Sequence, residues 1–232
     1  MNTKQISASM MCVDNLLDLQ SWIKRIEDAN IDMLHLDAMD GHFVNNITFG
    51  PDIMNAIHKV TKLPCDYHLM LQDPLSYIKR LDLSKGDIIT VHAEIDEKRL
   101  YETLDYMETL NKRGIKTGIA INPETSIESL VHKEILQRID MILIMLIKPG
   151  FAGQPIIEGI MNKPGYVRQY LYSIGHERIM LSVDGGISLN RAKILSENGV
   201  DVFVGGTSGL FIKSEKFEKS AEKLRNALNV IA

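Results

Sequence analysis

The sequence predicts a (β/α)8 TIM barrel. Three observations lead there: eight short β-like runs alternate with helical stretches, polar residues recur at the ends of many of these runs, and glycine clusters follow the last three. Alternation of strand and helix selects an α/β fold with a parallel sheet. An open doubly wound sheet would share it but would gather its polar residues at one switch point. Here they are spread over Ser9, Asp37, His68, His92, Asn122, Asp184 and Thr207, as expected for the rim of a closed barrel. A length of 232 residues with 45% hydrophobic content suffices for one full core, so residues 1–232 are expected to form a single barrel domain.

In chain order, residues 5–10 form the first strand and carry Ser9 near its end. The next helix carries Leu16, Leu19, Trp22, Ile23 and Ile26, with Asp14 placed to cap it. Residues 33–38 form the second strand, whose alternation puts His35 and Asp37 on one face and Leu34 and Leu36 on the other. The third strand, 65–70, contains Asp66-Tyr67-His68-Leu69-Met70, and the fourth, 87–92, runs into Val91-His92-Ala93-Glu94. A helix with Leu100, Leu104, Met107 and Leu110 ends at Gly114, before the fifth strand at 116–121. The sixth strand (140–146), the seventh (179–184) and the eighth (201–205) each lead into a glycine cluster.

Composition narrows the function classes. A net charge of −4 without a basic stripe argues against a nucleic-acid partner, and no apolar run reaches the roughly 18 residues of a membrane span. Met1-Asn2-Thr3-Lys4-Gln5 lacks the apolar core of a signal peptide, which points to the cytoplasm. Cys12 and Cys65, the only cysteines, stand in apolar settings and are expected to be buried free thiols. His58, His132 and His176 lie in charged stretches and read as solvated surface.

Chemistry concentrates at the strand ends. His35 and Asp37 point together toward one spot, His68 offers an imidazole on the next strand, and Asp184 a carboxylate on the seventh. Two His and two Asp can close around one divalent ion. The set suits Zn²⁺, with Mn²⁺, Fe²⁺, Co²⁺ or Mg²⁺ as alternatives. The glycine clusters are Lys148-Pro149-Gly150-Phe151-Ala152-Gly153-Gln154, Asp184-Gly185-Gly186 and Gly205-Gly206-Thr207-Ser208-Gly209. Any one of them could be a tight turn. Three on consecutive strands suggest a phosphate grip, because glycine lets backbone N–H groups approach an anion and barrels commonly bind phosphate after strands seven and eight.

The segments HLDAMDGHFV, DYHLML, MLIKPGFAGQ, VDGG and GGTSG, in this order and on these strands, resemble the ribulose-phosphate 3-epimerase family from about Ile6 to the final helix. The resemblance implies a barrel of the ribulose-phosphate-binding type and a metal-dependent epimerase that inverts C3 of a ketose phosphate through an enediolate. It implies that Asp37 and Asp184 exchange protons on opposite faces of the substrate, and that both bind the metal with His35 and His68. Met39, Met70 and Met145 would form an apolar lid over the reacting carbons, and Ser9 and His68 would contact the substrate. Gly150, Phe151, Ala152, Gly153, Gly185, Gly186, Gly206, Thr207 and Ser208 would shape the phosphate end.

Within the family, Ser9-Met10-Met11-Cys12, Asn122-Pro123-Glu124-Thr125, Pro149–Gln154 and Gly206–Phe211 are more similar to the D-allulose-6-phosphate 3-epimerase branch. The expected reaction is therefore D-allulose 6-phosphate to D-fructose 6-phosphate, with D-ribulose 5-phosphate to D-xylulose 5-phosphate as the alternative. A non-catalytic sugar-phosphate binding protein is a reading from another class, but a mere binder has no need of two proton-transfer groups. The expected partner is a small ketose phosphate, and association of the helices into a homo-oligomer is left open. Two departures from the family pattern stand out: Ala93 where a proline usually follows the histidine, and Lys148 where relatives carry Asp or Asn.

Overall fold

Eight parallel strands close in chain order into a barrel: β1 (Gln5–Ser9), β2 (Met33–Met39), β3 (Cys65–Met70), β4 (Ile88–His92), β5 (Lys116–Ile121), β6 (Met141–Met145), β7 (Met180–Asp184) and β8 (Val202–Gly205), with β8 pairing back onto β1. Helices α1 (Leu19–Asp28), α2 (Pro51–Val60), α3 (Pro74–Ile78), α4 (Glu97–Asn111), α5 (Glu128–His132), α6 (Lys163–Ser173), α7 (Leu189–Glu197) and α8 (Phe217–Asn229) alternate with them. The computed structural model describes residues 3–132 and 134–229, so the two ends of the expected 1–232 span lie outside the described residues, as does the side chain of His132. Each strand falls within one residue of its predicted bounds. The reason is that strands covered on both faces must be apolar almost throughout, as the fully buried Met141–Met145 is.

Helix ends follow local chemistry. Asp96 accepts from the Arg99 N–H at 3.1 Å to start α4, and Gly114 takes φ +77 just beyond its end, as expected. The first helix differs from expectation. Asn15, not Asp14, caps a short 3₁₀ turn by accepting from the Leu17 N–H at 3.0 Å, and α1 starts only at Leu19. Asp14 instead accepts from the Trp22 indole N–H at 2.9 Å, because a buried indole needs a partner. His58 also departs from the solvated reading: its Nε2 lies 3.1 Å from Oδ2 of the buried Asp87. Among the described residues, no helix is long and apolar enough to cross a membrane.

The barrel is filled in layers. Met33, Ile88, Met141 and Val202, one from each even strand, form an apolar floor with Met180 packed against it. Stepping up each strand by two residues keeps to the inward face. Ser7, Asp66, Gly118 and Ser182 come next, then His35, Thr90, Leu143 and Val204. The filling thus turns polar on the β1–β4 side, while Ala120, Leu143, Met145 and Val204 keep the β5–β6–β8 side apolar.

Gly118 belongs to this packing. A Cβ there would lie 2.4 Å from Thr90 Oγ1, and Thr90 pairs in register with His68. Gly118→Ala is expected to cost about 1–3 kcal/mol through overpacking. Thermal unfolding checks it, and an unchanged Tm would mean that Thr90 repacks freely.

Candidate active site

Register assembles the cluster. Asp37 pairs with His68 across β2–β3, Ser9 with His35 across β1–β2, and Met145 with Asp184 across β6–β7. One ligand atom each from His35, Asp37, His68 and Asp184 lies within 4.8 Å of the others. His35 sits between two carboxylates, its Nδ1 2.7 Å from Asp66 Oδ2 and its Nε2 3.2 Å from Asp37 Oδ1. Asp66 Oδ2 also accepts from the Ser7 hydroxyl at 2.9 Å. His68 Nδ1 lies 3.0 Å from the same Asp37 oxygen, and its Nε2 2.9 Å from His92 Nε2. Ser9 Oγ donates to Asp37 Oδ2 at 3.4 Å, and the Thr48 hydroxyl donates to the Asp37 carbonyl at 2.6 Å.

The environment separates the two candidate proton carriers. Burial would raise the Asp37 pKa, but the charge and hydrogen bond of His35 beside it outweigh burial and hold it well below the carboxylate range. Asp184 is raised, first by burial and then by the charges of Asp37 and Asp66, against the pull of His35 and His68. Burial alone would lower His35, yet Asp37 and Asp66 hold it well above the ordinary imidazole range. The two carboxylates are thus pushed in opposite directions, the kind of split that separates an acid from a base partner.

The donor set fits a divalent cation: two imidazole nitrogens and two carboxylate oxygens converge at the strand ends. Asp66 occupies the far nitrogen of His35, an arrangement that fixes the orientation of a ligating imidazole.

Above the cluster opens a cleft. Ser9, Asp37 and Asp184 line it with Met39, Met70 and Met145, and the three glycine-rich turns supply Gly150, Phe151, Ala152, Gly153, Gly185, Gly186, Gly206, Thr207 and Ser208. His68 differs from the other expected substrate contacts. It is fully buried between Asp37 and His92 and does not line the cleft, so its side chain serves the cluster beneath. Gly185 and Gly186 take φ +107 and +62, and a Cβ on either would lie 2.6 Å from an isoleucine side chain, so turn geometry and tight packing both demand glycine there. The Asn46 amide donates to the Gly150 carbonyl at 2.7 Å, tying the loop after β2 to the loop after β6. Lys148 is exposed and lies off the cleft. Cys12 and Cys65 are both free, but Cys12 is only partly buried and lines the cleft with Met11. Cys65 fits the expectation, with burial pushing its thiol up to about 12.

Sequence reasoning assigned no role in the site to Asp66, His92 or Glu94. Each carries a local signal: Asp66 stands two residues from His68, and His92-Ala93-Glu94 repeats the spacing of His35 and Asp37. His92 is fully buried and stacks on His68 with ring centroids 5.0 Å apart. Its Nδ1 lies 3.0 Å from Glu94 Oε2.

A model of the ribulose-phosphate 3 epimerase family matches residues 5–211. The ribulose-phosphate 3-epimerase of Bacillus subtilis (strain 168) is 33% identical over 223 residues, 96% of this chain and 99% of that protein. That of Chlamydia muridarum is 38% identical over 220 residues, 94% and 92% of the two chains. Among solved structures, KGPDC from Streptococcus mutans has a TM-score of 0.67 over 98% of each chain at 11% identity, a likeness of fold alone.

Proposed function

The chain belongs to the ribulose-phosphate 3-epimerase family and is a ketose-phosphate 3-epimerase, and from that premise we propose that it interconverts D-ribulose 5-phosphate and D-xylulose 5-phosphate. The observation that carries the proposal is the His35–Asp37–His68–Asp184 cluster under a glycine-rimmed cleft, in a chain whose relatives at 33% and 38% identity share the name ribulose-phosphate 3-epimerase. The hexose expectation drawn from Ser9–Cys12 and Gly206–Phe211 finds no support in these relatives. Its weakness is physical: the two sugars differ by one carbon, and small residues at the phosphate end are compatible with either length.

Inverting C3 beside a carbonyl means removing a proton from one face and returning one to the other. Asp37 on β2 and Asp184 on β7 stand three strand positions apart around the barrel, which lets them reach a bound carbon from different sides. Asp37, held ionised, takes the proton in one direction while Asp184 delivers one, and the roles reverse in the other. A divalent cation held by His35, Asp37, His68 and Asp184 would supply Lewis-acid stabilisation of the enediolate's negative charge. Met39, Met70 and Met145 keep water from the carbon being deprotonated, and the turns at Gly185–Gly186 and Gly206–Ser208 receive the phosphate.

The test is kcat/KM for D-ribulose 5-phosphate against D-allulose 6-phosphate on the same preparation. The pentose is expected to be favoured tenfold or more, about 1.4 kcal/mol in transition-state binding. A preference for the hexose would reinstate the other assignment.

A further inference from the structure

We infer that His92 and Glu94 are positioning residues that set the tautomer of His68, holding its Nδ1 as a lone pair toward the cluster. The inference rests on the cation-binding reading of the site.

Each hydrogen bond in the chain fixes the direction of the next. Glu94 Oε1 accepts from the Asn122 N–H at 2.7 Å and from the Thr125 hydroxyl. Its other oxygen, Oε2, lies 3.0 Å from His92 Nδ1. A carboxylate offers only lone pairs, so His92 Nδ1 carries the hydrogen. A neutral imidazole has one N–H, which leaves His92 Nε2 as an acceptor. It faces His68 Nε2 at 2.9 Å, so His68 Nε2 donates. A ligand to a cation must be a neutral imidazole, so the remaining nitrogen, His68 Nδ1, then points a lone pair at Asp37 Oδ1, 3.0 Å away. Two acceptors facing one another inside a fully buried layer repel, and a cation between them resolves the repulsion.

The far end of the chain is anchored as firmly. Lys163, at the start of α6, donates from Nζ to the carbonyls of Asn122, Pro123 and Thr125 at 2.8, 3.0 and 2.7 Å. The loop after β5 therefore cannot shift away from Glu94 without breaking several bonds.

The native protein, with ¹⁵N-labelled histidine and loaded with Zn²⁺, supplies the direct test. Long-range ¹H–¹⁵N spectra are expected to show His68 protonated at Nε2 and His92 protonated at Nδ1. The opposite tautomer at His92 overturns the inference.

Glu94→Gln supplies the second measurement. The Asn122 N–H claims the amide oxygen, so the new NH₂ group turns to His92 Nδ1 and the direction of every bond reverses, which puts a proton on His68 Nδ1. Zn²⁺ affinity, read by competition with a chelating dye, is expected to fall about 10–100-fold in folded protein. An affinity within twofold of native overturns the inference while leaving the cation reading intact. Failure of the native protein to bind Zn²⁺ or Co²⁺ at all would overturn both. A purely structural role for Glu94 would not move the histidine tautomers, and if the variant fails to fold, the native spectrum decides.

Discussion

Asp37→Asn and Asp184→Asn are each expected to lower kcat/KM by roughly 10³-fold or more, about 4 kcal/mol at the transition state. An amide of the same shape keeps the packing but cannot take a proton from carbon. The two variants should differ in their secondary effects. Asp37 Oδ1 lies 3.2 Å from His35 Nε2 and 3.0 Å from His68 Nδ1, so its loss also disturbs both imidazoles. Asp184 is more open and is already disposed to hold a proton, so Asp184→Asn should stay closer to native stability. The measurement is epimerisation alongside elemental analysis of the same sample. Retained turnover in either variant at normal cation content would reject the two-carboxylate reading.

Stripping the divalent cation with a chelator is expected to stop turnover, and adding it back to restore it. His35→Ala and His68→Ala should both weaken cation binding, with unequal effects on folding. Removing His35 leaves Asp66, a fully buried carboxylate, with Ser7 as the hydrogen-bond donor to Oδ2, and an uncompensated buried charge costs about 3–5 kcal/mol. Removing His68 leaves His92, which keeps its contact to Glu94. A denaturation midpoint therefore lower for His35→Ala than for His68→Ala is expected, with both below native in cation affinity. Full activity in cation-free protein would show that the four residues serve another purpose.

Much of this was legible from the chain alone, for identifiable reasons. Two-residue periodicity placed His35 and Asp37 on one face and the leucines on the other, and burial on both faces made the strands easy to bound. What periodicity cannot supply is the alignment of one strand against the next. His92 meets His68 only because Thr90, not His92, pairs with His68 in the β3–β4 ladder, which lifts His92 one layer toward the mouth. The Asp14 expectation failed for a similar reason, since the Trp22 indole that claims it is set by how α1 packs. Hexose against pentose was not legible, because the turns that shape the phosphate end are built from residues too small to register one carbon.

The methionine, isoleucine and valine floor beneath the cluster makes the barrel a vessel with one opening. Among the described residues, the hydrogen bonds of the cluster stop at Ser7 and Asp66 above that layer, so hydrogen exchanged at the substrate carbon has no rear exit through them. Everything that Asp37 and Asp184 trade with bulk solvent must pass the same mouth that an occupied cleft blocks. Isotope from solvent should then enter the carboxyl groups between occupancies rather than during them, and its incorporation into product is paced by departure of the sugar and not by the acidity of either aspartate.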